Sequence, residues 1–200
     1  QSYDAVVLDF DGLEQLEAYY SYVGNVNRVS GDLPAVPEID VLDGNARMDS
    51  HLVNACYGIE GVGRASGYLY YIDCENIPVF STSTAGIRFT GDQERIGYTA
   101  EGAYQTDIAN NPNQVSQPYL HAEFRARFSK VTTSVGYELL GGSGDPGNRF
   151  LTPFGRLHKF NGWADRFVLT PDRGLQDVHA RVTGRAGPDD RLVWLAAVPV

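Results

Sequence analysis

Long apolar runs, lysine, methionine and cysteine are all scarce in this sequence, and each scarcity narrows what the chain can be. No stretch approaches the roughly 18 consecutive apolar residues of a membrane-crossing helix, so none is expected. The opening QSYDAVVLDF lacks the basic and apolar regions of a secretory leader. The expectation is therefore a chain that begins after processing, or a piece of a longer one. Basic residues number 16 against 25 acids, for a net charge of −9. That balance argues against neutralising a phosphate backbone, so nucleic acid is not an expected partner. Only two of the bases are lysine, and arginine suits planar, bidentate capture of carboxylates better than lysine does.

Chemistry-bearing motifs are equally scarce. The four histidines, His51, His121, His158 and His179, contain no close-spaced pair of the kind that holds zinc. The acids of EIDVLDGNARMD, Asp40, Asp43 and Asp49, lack the alternating spacing of a calcium loop and read as a solvated acidic segment. No nucleophile elbow, phosphate loop or dinucleotide fingerprint occurs, and GGSGDPGN reads as a turn. Pairs such as His121 with Glu123 or His158 with Asp165 have no fixed spacing that would make them acid and base. Neither enzymatic activity nor a cofactor is expected. The two cysteines fall on the two strands of one expected hairpin around EGVG, with Cys56 opposite Gly67 and Cys74 opposite Asp49. That separation is beyond disulfide reach, so both are expected as free thiols.

What the chain does have is period-two alternation, 22 glycines and 12 % aromatics, which favour strands over helices. In YLHAEFRARF, Leu120, Ala122, Phe124, Ala126 and Phe128 share one face, and Tyr119, His121, Glu123, Arg125 and Arg127 share the other. In LQDVHARVTGRA, Val178, Ala180, Val182 and Ala186 alternate in the same way with Asp177, His179, Arg181, Thr183 and Arg185. The same reading gives about ten strands, near residues 2–10, 16–29, 50–60, 64–75, 80–91, 95–107, 118–128, 131–141, 174–187 and 191–198. Short connections alternate with longer ones at 30–49, 76–79, 108–117 and 142–173. Strands of this length, with one polar and one apolar side and with connections that differ between the two ends, are the pattern of a transmembrane β-barrel. A soluble up-and-down barrel or sandwich alternates too. At 200 residues the expectation is a single domain over 1–200, all-β, an antiparallel up-and-down transmembrane β-barrel or part of one.

Four stretches, YSYVGNVNRVSGD, SHLVNACY, YTAEGAYQTDIANNP and GYELLGGSGDPGNRFLTPFGRLHKFNGWADRFVLTPDRGLQD, carry a resemblance. They resemble successive segments from the C-terminal half of the alginate-export-like porins of proteobacterial outer membranes, and LHKFNGWADRF is the most specific part. The resemblance implies a channel in the bacterial outer membrane that passes small or oligomeric solutes without cofactor or catalysis. Members of that family are longer, and RLVWLAAVPV lacks their terminal aromatic. The chain is accordingly expected to be a fragment, a divergent short barrel, or a half that pairs with another copy as a homo-oligomer.

Two groups of residues then become candidates. If Leu120 to Phe128 faces lipid, then His121, Glu123, Arg125 and Arg127 line the lumen, joined by Asp177, His179, Arg181 and Arg185. Arginine rows there favour anionic solutes, whereas an internal ion-pair network would only fill the barrel. The acids Asp32, Glu38, Asp40, Asp43, Asp49 and Asp145 are expected in loops, which leaves the lumen locally basic despite the net charge. The second group is the insert over 142–173, whose Arg156, His158, Asn161, Trp163, Asp165 and Arg166 offer a stacking surface and hydrogen-bonding groups to a sugar if the loop folds inward as a constriction. The alternative is a plug in which Phe154, Phe160, Trp163 and Phe167 pack the loop to the wall. Competing functions are a soluble carbohydrate-binding β-sandwich that uses the Trp163 loop, and a structural protein assembled by strand pairing between subunits.

Overall fold

The computed structural model describes residues 2–27, 44–152, 169–185 and 191–199, with the backbone alone given for 185 and beyond. Within them the alternating segments form ten strands in one sheet whose spatial order is the chain order. These are β1 (Ser2–Leu13), β2 (Leu16–Asn27), β3 (Asn45–Ile59), β4 (Gly63–Ile72), β5 (Thr82–Asp92), β6 (Ile96–Asp107), β7 (Ser116–Arg127), β8 (Val131–Leu140), β9 (Leu175–Arg185) and β10 (Arg191–Pro199). Every neighbouring pair is antiparallel. The fold is therefore an all-β, up-and-down meander, as the alternation implies. Among the described residues no pairing joins β1 to β10, so both keep an open edge.

Three boundaries differ from the sequence reading by three residues or more, and the first is the end of β1, at Leu13 where residue 10 was expected. Asn45 to Asp49 belong to β3, so Asp49 is a strand residue and not a loop acid. At the far end of β4 the chain leaves the sheet after Ile72, turns through a short 3-10 segment at Pro78–Phe80 and re-enters at Thr82. The cysteine hairpin is also one residue out of the expected register: Cys56 faces Ser66, and Cys74 faces Met48. The cause lies in the turn. Ile59 pairs with Gly63, which leaves a three-residue loop in which Gly61 takes the left-handed region at φ 69°. Cys56 and Cys74 form no disulfide.

The two faces of the sheet have opposite character and inverted burial. On β7 the apolar Leu120, Ala122 and Phe124 are exposed, while His121, Glu123 and Arg125 are half-buried. Val53, Leu69, Ile87, Val135 and Val178 continue the exposed apolar face across the other strands. The polar face is enclosed because the sheet curls around it: one cavity of about 530 Å³ is lined by residues as distant in strand order as Tyr3 of β1 and Tyr119 of β7. Two apolar clusters cap this hollow near the longer connections. One joins Val23, Val26, Ala46 and Met48 of β2 and β3 to Cys74, Ile77 and Phe80 of the β4–β5 connection. The other gathers Tyr119, Leu140, Phe150 and Leu175. The connections at that end, with Cys74, Ile77, Phe80, Val115, Phe150 and Leu151, thus share the buried apolar residues with the strand ends they pack against.

Candidate functional site

The enclosed face carries rows of directly opposed side chains, because antiparallel partners at the same register point the same way. Ser66, Arg88, Glu101, His121, Glu138 and Asp177 stand opposite one another in turn across β4 to β9. A neighbouring row contains Glu123, Gly136 and His179, and a third contains Asp92, Arg125, Ser134 and Arg181. Alternation on each strand places a polar group at every second position, and hairpin registry brings those positions together.

Ion pairs link the rows into one network. His179 Nδ1 lies 3.1 Å from Asp177 Oδ1, and its Nε2 lies 3.5 Å from Glu123 Oε2. Glu123 Oε1 accepts a 3.0 Å hydrogen bond from Arg125 Nη2, and Arg125 Nη1 lies 3.8 Å from Asp92 Oδ2. Arg127 Nη2 donates to the same Asp92 oxygen at 2.7 Å. The Cε1–Nε2 edge of the His179 ring lies against Gly136, where a Cβ would come within 2.4 Å of both atoms. Glycine is therefore the residue that lets the imidazole reach Glu123. Arg88 Nη1 pairs with Glu101 Oε2 at 3.2 Å, and Tyr68 and Tyr119 donate 2.7 Å hydrogen bonds to Glu101 and Glu138.

Of the residues singled out in the sequence, Glu123, Arg125, Arg127, Asp177 and His179 therefore meet in one network. His121 lies half-buried on the same face. Arg181 is exposed there and has no ion pair among the described residues. Arg185 is the last residue of β9, and its side chain lies outside the described residues. Sequence reasoning missed Asp92, Arg88 and Glu101. Asp92 was hidden in the turn-like GDQE, and the other two sit singly among small and apolar neighbours. Counting every second position along β5 and β6 finds all three.

The insert is described at its two flanks, while Arg156, His158, Asn161, Trp163, Asp165 and Arg166 lie outside the described residues. The leading flank turns onto the enclosed face. Phe150 stacks on Tyr119 with ring centroids 5.4 Å apart. Leu151 is fastened at both main-chain groups by Gln105 of β6. Where the flanks meet, Arg149 Nη1 bonds Asp172 Oδ1 at 2.6 Å, and the Gly147 amide donates to that same oxygen at 3.0 Å. Compared with family models, curated proteins and solved structures, the chain matches none.

Proposed function

We propose that the chain forms, or forms part of, a porin-like channel of the bacterial outer membrane, one that resembles the alginate-export-like porins and passes small or oligomeric anionic or sugar-like solutes by passive diffusion. One observation carries the reading: the apolar face is the exposed one. Ile87 is 72 % exposed, whereas the side chain of Glu101, on the opposite face, is 12 % exposed. A soluble sandwich must bury its apolar face against a second layer, and among the described residues no second sheet covers it. A lipid-facing wall reverses that demand.

The placement of aromatics supports the same reading. Tyr57, Phe89, Tyr98 and Phe124 lie on the apolar face near the short turns, and Tyr22, Tyr71 and Tyr104 lie near the longer connections. Ile87 and Leu120 share a row between these two groups, as in the girdle arrangement of a membrane barrel. The strands, of 9 to 15 residues, are long enough to cross when tilted. Because Arg88, Arg125 and Arg127 are paired with carboxylates, the lining is mixed in sign, which favours polar solutes over a simple anion funnel. The open edges of β1 and β10 favour closure with each other, with further strands, or with a second copy. Single-channel recording of the refolded chain in planar bilayers tests the proposal: stable conductance steps support it, and a chain that stays soluble and never conducts removes it.

A further inference from the structure

The cavity enclosed by the sheet is floored by strands that the sequence reading did not single out. Asn54 of β3, Tyr68 and Tyr70 of β4, Arg88 of β5, and Glu101 and Gln105 of β6 line it, and Phe150 and Leu151 reach it from the insert. Its volume of about 530 Å³ falls within the range of roughly 300–1,000 Å³ over which proteins hold small molecules.

Its chemistry selects among small molecules. Tyr68 and Tyr70 are stacked, with centroids 4.8 Å apart and planes 21° apart, and give the floor apolar ring surface. Among the described residues the only two charged side chains lining the cavity are Arg88 and Glu101, and they neutralise each other at 3.2 Å. Tyr68 caps the second Glu101 oxygen, and the Gln105 amide is engaged with Thr84 and Leu151. The Tyr70 hydroxyl is hydrogen-bonded with the side chains of Asn54 and Tyr19, and the remaining bonding capacity of Asn54 and Tyr70, with the rest of the Arg88 guanidinium, is what a ligand meets. An anion entering here meets Glu101, and a cation meets Arg88. A ligand with apolar C–H faces and a rim of hydroxyls meets ring surface on one side and uncharged hydrogen-bonding groups on the other.

We infer that this cavity is a binding subsite for an uncharged sugar of one or two rings. The inference rests on the channel reading, in which the enclosed face is the solute path, and it gives that path a place where a neutral sugar pauses. Among the described residues no ion pair joins the Arg88–Glu101 pair of this subsite to the Glu123–His179 network on β7 and β9.

Saturation-transfer NMR on the full chain, refolded in a detergent without a sugar headgroup, tests it with maltose and with digalacturonate as probes. The expected result is saturable transfer to maltose ring protons and markedly weaker transfer to digalacturonate. Tyr70→Ala and Asn54→Ala should each weaken maltose binding about tenfold, the scale of one good contact, while Ile87→Val on the opposite face leaves it unchanged. If Tyr70→Ala does not fold, Asn54→Ala carries the test. Digalacturonate binding as well as maltose, maltose binding that survives both variants, or a folded chain that binds neither sugar would overturn the subsite. Parallel bilayer recording separates the two readings. Conductance without maltose binding removes the subsite alone, and maltose binding without conductance removes the channel and leaves the subsite standing.

Discussion

The side chain of Gln105 on β6 holds the main chain of Leu151 at two points. Its Oε1 accepts from the Leu151 amide at 2.7 Å, and its Nε2 donates to the Leu151 carbonyl at 3.0 Å. Both residues are buried, so the pair ties the start of the insert to the wall of the sheet by the same two bonds that one strand residue makes to another. Gln105→Ala leaves a buried amide and carbonyl unpaired, at a cost of about 1–3 kcal/mol each. The expected outcome is a lower unfolding midpoint in denaturant together with larger, noisier conductance steps. An unchanged midpoint would mean that the flank is held by other contacts.

Ile87 distinguishes lipid from water as the neighbour of the apolar face. At an exposed site of a soluble protein, Ile87→Arg would change stability by within about 0.5 kcal/mol. Facing the middle of a bilayer, the same substitution costs about 2–4 kcal/mol. Unfolding from liposomes should show the larger loss.

The arginines of the enclosed face differ in how firmly they are held. Arg125 lies between Glu123 and Asp92, whereas Arg181 stands opposite Ser134 without an ion pair among the described residues. Arg181→Glu is expected to shift the zero-current potential in a salt gradient towards cations while leaving the melting temperature nearly unchanged. Arg125→Glu should shift selectivity in the same direction and also lower the melting temperature, because it brings a third carboxylate against two others. Unchanged selectivity in both variants would take these residues out of the solute path.

The two thiols report on opposite environments. Cys56 is half-buried on the enclosed face, with Sγ accepting from Arg64 Nε and Ser66 Oγ at 3.2 Å each. Cys74 is fully buried under the β4–β5 connection. A bulky maleimide should modify Cys56 alone in the folded protein and reduce conductance, and modify both after unfolding. Equal labelling of the two in the folded state would contradict this placement.

How much was legible in the sequence follows from the range of each interaction. Alternation is local, so the strands and the polar and apolar faces of β7 and β9 could be read directly. The first residues of β3 could not, because Arg47 and Asp49 project to the outer face beside the loops and break the apolar pattern. The cysteine register turned on whether EGVG closes with two or three residues, which depends on the left-handed Gly61. The partners of Arg125 and Arg127 were hidden for another reason: Asp92 lies on β5, two strands away, and only the hairpin registers bring it near. The inward turn at Phe150 and Leu151 depends on Gln105 and Tyr119, long-range contacts that no local pattern announces.

The central claim is that one face of this sheet meets lipid and the other meets water, and nitroxide scanning along β5 tests it most directly. In a Cys56→Ser, Cys74→Ser background, labels would be placed singly from Ser83 to Thr90 and the protein reconstituted into liposomes. The account predicts a period of two: labels at Ala85, Ile87 and Phe89 relax with dissolved oxygen, and labels at Thr84, Arg88 and Thr90 relax with a water-soluble nickel chelate. Relaxation by the nickel chelate at all positions, or a chain that does not partition into the vesicles, would contradict it.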